Sequence, residues 1–135
     1  MAFNYNRAQQ LEYFNMTQRQ GVAWLEIFKD DTEFYSAAYW DLFTNLWRQD
    51  KPTRKTDAMG FMKAVKSAHT AGKYIDTAIR RGFLIETENP EDARSKLIEL
   101  SPQLRENFEV FINRAVDEIL LTGKEMAALG SVPKA

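Results

Sequence analysis

Along the 135 residues, apolar positions recur with the period of helices and change period once. From about Asn6 to Lys29 there are few breakers apart from Gly21, and Leu11, Phe14, Val22, Leu25 and Phe28 recur at loosely helical spacing. Asp30-Asp31-Thr32 predicts a helix stop and restart, because short oxygen-bearing side chains satisfy the first free N–H groups of a new helix. From Glu33 to Gln49, Tyr35, Ala38, Leu42, Phe43 and Leu46 fall on one apolar helix face. Lys51-Pro52-Thr53 ends it, since Pro52 biases its predecessor away from helical backbone. Arg54 to about Phe61 predicts a brief helix with Gly60 near its end, Met62 to Lys66 a turn, and Ser67 an N-cap. Ala71, Ile75, Ala78 and Ile79 then make a buried stripe. Arg80 and Arg81 suit the negative end of that helix's dipole, and Gly82 suits the left-handed position that closes it.

The period then shortens. Phe83 to Glu88 reads as a strand, Asn89-Pro90-Glu91-Asp92 as a turn, and Lys96 to Leu100 as a second strand with Ile98 and Leu100 on one face, together a β-hairpin. Ser101-Pro102 opens a last helix, whose stripe is Phe108, Phe111, Ile112, Ala115 and Ile119. Gly123 breaks or weakens that helix, and Gly130 to Ala135 reads as a frayed tail. The expected class is therefore mainly α with a small β-hairpin.

Composition narrows the function classes. With 44% apolar and 27% charged residues the chain is expected to fold as a globular protein, and its length suits a single domain over 1–135. It has no apolar run near the ~18 residues of a membrane span, and its first residues do not read as a secretory signal. The absence of cysteine removes disulfides, thiolate catalysis and thiolate metal sites, and a single histidine removes His-rich metal sites, so no metal or cofactor is expected. The expected setting is the reducing cytoplasm. The net charge of −1 favours no partner, but its distribution is uneven. Residues 48–81 hold nine Lys/Arg against three Asp/Glu, between two acidic flanks. A basic middle suggests a localised anionic partner, although ordinary solvated helix faces can reach the same balance.

Helix, short helix, turn, helix, hairpin is the order of a winged helix-turn-helix. The run from Ser67 through Arg80-Arg81-Gly82-Phe83-Leu84-Ile85 resembles the recognition helix and following strand of the MarR family of bacterial transcription regulators. Asp92-Ala93-Arg94 followed by Leu97-Ile98-Glu99-Leu100-Ser101 resembles that family's wing. The resemblance spans roughly residues 33–120. It departs from the pattern at Ser101-Pro102, in the turn from Gly60 to Val65, and at Gly72 inside the recognition helix.

The resemblance implies a homodimeric regulator of double-stranded DNA. The winged helix-turn-helix would occupy 33–101, the dimerisation helices 1–31 and 102–128, and the tail 129–135. The recognition helix would enter the major groove with Ser67, His69, Thr70, Lys73 and Thr77, the wing arginine Arg94 would enter the minor groove held by Asp92, and Lys96, Arg54 and Lys55 would meet phosphates. The plain alternatives are a solvated polar helix face and a loop salt bridge worth ~0–1 kcal/mol. Asp76 is expected to lie away from phosphates or to pair with Arg80. Leu11, Phe14, Phe108, Phe111, Ile112, Ala115 and Ile119 would meet a second subunit or pack within their own chain. Most aromatics are expected in the core; the resemblance also implies a small-molecule effector of unknown identity, with no residue assigned to it.

Enzyme readings are poor, because no H-E-x-x-H, G-x-S-x-G or phosphate-cradling glycine loop occurs and His69 lacks a partner. The rival is a winged-helix protein-interaction or assembly module without DNA binding, which the acidic Glu86, Glu88 and Glu91 near the wing favour.

Overall fold

The computed structural model describes residues 4–130. Residues 1–3 and 131–135, with most of the expected frayed tail, lie outside the described residues. The chain forms two compact units, Met1–Asp30 with Phe108–Ala135, and Asp31–Asn107.

The first unit pairs two long helices. Helix α1, Arg7–Ile27, opens with a capping box in which Asn6 Oδ1 accepts from the Gln9 N–H at 2.8 Å and Gln9 Oε1 accepts from the Asn6 N–H at 3.0 Å. Its partner is the later part of helix α5, Pro102–Ala128. Rings hold the pair together. Trp24 stacks on Phe108 with centroids 5.4 Å apart and meets Phe111 edge-on at 5.7 Å, while Phe28 meets Phe108 edge-on. Gln9 Nε2 donates to the Met126 carbonyl at 2.9 Å, tying the helix ends. Phe108 is thus buried by its own chain, and its expected place at a subunit contact is corrected to intrachain core.

The second unit begins after Lys29 and Asp30, whose positive φ angles of 54° and 64° stop α1. The sequence predicts an immediate helical restart. Instead, Asp31 Oδ1 accepts from the Glu33 N–H at 3.0 Å and caps only the 3-10 turn Thr32–Phe34. Helix α2, Ala37–Arg48, starts later, where Ser36 Oγ accepts from the Tyr39 N–H. The delay reverses two side chains: Tyr35, expected on the apolar face, is exposed, and Phe34 is fully buried.

A second correction follows Pro52. Thr53–Arg54 is a strand, β1, rather than a helix start, and it precedes α3, Lys55–Met59. Helix α4, Ala68–Arg80, carries the expected cap, with Ser67 Oγ accepting from the Thr70 N–H, and buries Ala71, Ile75 and Ala78. Gly82 takes the expected left-handed backbone, φ 81°. Strands β2, Leu84–Glu88, and β3, Lys96–Leu100, pair antiparallel from Leu84↔Leu100 to Glu88↔Lys96. β1 joins the far edge of β3, so the predicted hairpin is a three-stranded sheet in the order β1-β3-β2. Helix α5, Pro102–Ala128, then starts with Ser101 Oγ accepting from the Leu104 N–H and runs unbroken through Gly123. The result is mostly helical with a small antiparallel sheet, a winged helix-turn-helix.

Gly72 offers a direct test of this packing. A Cβ built on it meets only the Met59 methyl at 3.5 Å, an ordinary contact. Gly72→Ala is therefore expected to stabilise α4 by about 0.5–1 kcal/mol, the helical cost of glycine relative to alanine. A fall in urea midpoint would show that the packing of α3 on α4 has no room for the added methyl.

Candidate nucleic-acid interface

Because α4 buries one face, the other is left to solvent. His69, Lys73, Asp76 and Arg80 are all exposed along it, and Ser67 and Thr70 are exposed at its N-terminal end. Thr77 is half-buried, and its Oγ1 accepts from Arg80 Nη2 at 3.2 Å. The helix-periodic arithmetic of the sequence predicts this face correctly.

The ionic partners differ from those expected. Asp76 pairs with Lys55 rather than Arg80, at 2.8 Å, and the same ammonium lies 2.9 Å from Glu86 Oε2 on β2. Burial pulls the Lys55 ammonium down, but hydrogen bonds to Asp76 and Glu86 more than offset this and leave its pKa raised. The side chain is 23% exposed. Lys55 is therefore engaged by two carboxylates, linking α3, α4 and β2, where the sequence leads one to expect a phosphate contact.

At the hairpin tip, Asp92 Oδ1 accepts from the Arg94 N–H at 3.0 Å and stands 3.5 Å from Arg94 Nε. Asp92 thus shapes the turn, while the arginine side chain is 94% exposed. Sequence reasoning missed the residue that braces this turn. Asn89 is buried, its Oδ1 accepts from the Glu91 N–H at 3.0 Å, and its Nδ2 donates to Ser95 Oγ at 2.8 Å. The signal was present in Asn-Pro-Glu-Asp, read only as turn chemistry. Lys96 pairs with Glu88 across the hairpin, so two of the wing's three glutamates are matched by lysines. Among the described residues, Arg54, Lys66 and Lys73 have no carboxylate within ion-pair reach.

Arg81 is the other residue the charge count misplaces. Its guanidinium lies 2.7 Å from Asp31 Oδ2 and 5.2 Å above the Phe34 ring, so this cation belongs to the fold. Among the described residues, the cations on or beside the presented elements with no carboxylate in reach thus include Arg54, Lys66, Lys73 and Arg80, while the exposed Arg94 keeps only its 3.5 Å contact to Asp92.

No family model matches the chain, and no curated protein does. Solved structures do. A transcriptional regulator from Thermotoga maritima aligns at TM-score 0.59 and 17% identity, over 93% of this chain and 83% of that one. A mutant of MepR from S. aureus, bound to an oligodeoxyribonucleotide, aligns at TM-score 0.57 and 16% identity, over 88% and 87%. The heme sensor PefR from Streptococcus agalactiae, in complex with heme, aligns at TM-score 0.52 and 20% identity, over 92% and 91%.

Proposed function

We propose, from the MarR-like winged helix-turn-helix fold that this chain has, that it is a homodimeric, sequence-specific regulator binding double-stranded DNA. The observation that carries the reading is the pairing, within one compact unit, of an exposed donor-rich helix start with a braced hairpin ending in a 94% exposed arginine. Ser67, His69, Thr70 and Lys73 suit base edges and phosphates in the major groove, which admits a helix. Arg94 suits the narrow minor groove, where negative potential concentrates. Arg54 and Arg80 suit the flanking phosphates, whereas Thr77 stays with Arg80 and Lys96 with Glu88. The protein acts by occluding or recruiting polymerase, not by catalysis.

The dimer rests on the first unit, where Leu11, Phe14 and Ile119 are exposed and Phe111, Ile112 and Ala115 are half-buried. Two recognition helices then meet half-sites about 10–10.5 bp apart or a multiple of that. A small-molecule effector belongs to the proposal by analogy with the heme-bound neighbour, its identity left to binding screens. No helix among the described residues is long and apolar enough to cross a membrane.

Selection from a random duplex library tests the whole reading, and the expected product is an inverted repeat. On the selected duplex, affinity is expected to fall with log salt at about −0.9 per phosphate contacted. Arg94→Ala is expected to weaken binding by roughly 1–3 kcal/mol with the fold intact. A library that enriches nothing, with no duplex binding at low salt, would favour the protein-interaction module instead.

A further inference from the structure

We propose that Lys55 is a positioning residue that locks the wing to the recognition helix and thereby sets how Arg94 is presented. Its value for DNA rests on the function proposed above; the lock itself does not. Lys55 is the first residue of α3, directly after β1. Its Nζ reaches Asp76 Oδ1 at 2.8 Å in the middle of α4 and Glu86 Oε2 at 2.9 Å in the middle of β2, partners 21 and 31 residues away in sequence. One ammonium therefore spans the helix offered to the major groove and the strand that carries the hairpin to its tip.

Three features separate this from a decorative surface pair. The Lys55 side chain is mostly covered, so the ammonium is screened less than an exposed lysine, although Asp76 and Glu86 are 53% and 32% exposed. Both acceptors are carboxylates, which makes both bonds charge-assisted. The two contacts act on separate elements, so one side chain ties α4 and β2 at a common point. The arrangement also gives the acidic wing a purpose. Glu86 repels DNA when alone, but as the strand's half of the lock its charge is committed to Lys55.

A phosphate-binding lysine and a positioning lysine predict different results. In the DNA-free protein, Lys55→Met keeps most of the aliphatic stem and removes the charge. Hydrogen exchange of the β2 and β3 amides is expected to speed up, while α1 and the later part of α5 are unchanged. Glu86→Gln removes the charge from only the wing contact and so weakens it, is conservative enough to fold, and is expected to speed the same amides. With the selected duplex, Lys55→Met is expected to weaken binding about tenfold, alongside the faster wing exchange seen without DNA. Its effect and that of Arg94→Ala are expected to be strongly sub-additive, since a loosened wing has already lost most of what Arg94 supplies. A salt slope reduced by about 0.9 with unaltered exchange would make Lys55 a phosphate ligand and overturn the proposal. Unaltered exchange in both variants would overturn it whatever the affinity. If the wild type binds no duplex at all, the exchange experiment still decides the lock, and only the DNA function falls.

Discussion

If the proposed dimer forms, Phe14→Glu is expected to convert it to a monomer and to lower duplex affinity on the order of 100-fold or more. On α1 the residues facing α5 are Gln9, Met16 and Trp24, all buried. On the opposite face Leu11, Phe14 and Val22 are 45%, 62% and 56% exposed, spaced so that one helical stripe holds all three. Val116, Ile119 and Leu120 on α5 are likewise half exposed or more. A monomer rarely leaves so much aromatic and aliphatic surface to water, and in the proposed dimer a second copy of the same faces covers it, as closed two-fold symmetry allows. Burying one phenylalanine contributes about 1.5–3 kcal/mol. In a two-fold contact each substitution counts twice, and each new carboxylate must also be desolvated. Losing the dimer leaves one half-site contact where there were two, and the avidity lost is on the order of 10²–10⁴. Among the described residues, Phe14's one ring neighbour is Tyr13, so circular dichroism is expected to be unchanged. Light scattering and a duplex titration read the two effects. Wild-type protein with the mass of a lone chain would sink the prediction, as would a variant that keeps both dimer and affinity.

How far the sequence reveals the fold depends on whether the deciding contact is local. The stripe of α4, its Ser67 cap and the Gly82 stop are all legible, because each is set by residues within a turn or two of one another. β1 is not, since two residues carry no alternation and Thr53–Arg54 becomes a strand only because β3, over forty positions later, offers an open edge. The helix restart after Asp31 is read one turn too early for a related reason. Asp31 and Ser36 are both good caps by type, and the choice between them falls to the burial of Phe34, which a helix from Glu33 would not require. The candidate site divides the same way. Exposure of His69, Thr70 and Lys73 follows from helical period, whereas the engagement of Lys55 with Asp76 and Glu86, and of Arg81 with Asp31, follows from tertiary approach that no spacing announces. Counting charges along the chain therefore overstated the free cations of the basic middle.

Phe34, which the sequence reading left unassigned, carries the largest expected effect on stability. Phe34→Ala is expected to lower the unfolding free energy of the Asp31–Asn107 unit by about 3–5 kcal/mol. The ring is fully buried. Its centroid lies 4.7 Å from Tyr39, 4.9 Å from Phe83 and 6.3 Å from Phe43, so it joins the start of α2 to the residue that leads into β2. Little around it can move inward. Tyr39 is held by its hydroxyl, which donates to the Tyr74 carbonyl at 2.9 Å, and burial pushes that phenol up to about 12. Arg81 is held above the ring by Asp31, whose carboxyl sits below its ordinary value first through the bond from the Glu33 N–H and then through the guanidinium. A cavity fixed on both sides cannot collapse, which places the loss toward the top of its range. Arg81→Met, which keeps a stem over the ring and removes the charge, should cost only about 1 kcal/mol. Urea titrations of both variants give the comparison. A loss below about 1 kcal/mol for Phe34→Ala would mean that the aromatic cluster repacks, and that the junction between α2 and the sheet is held elsewhere.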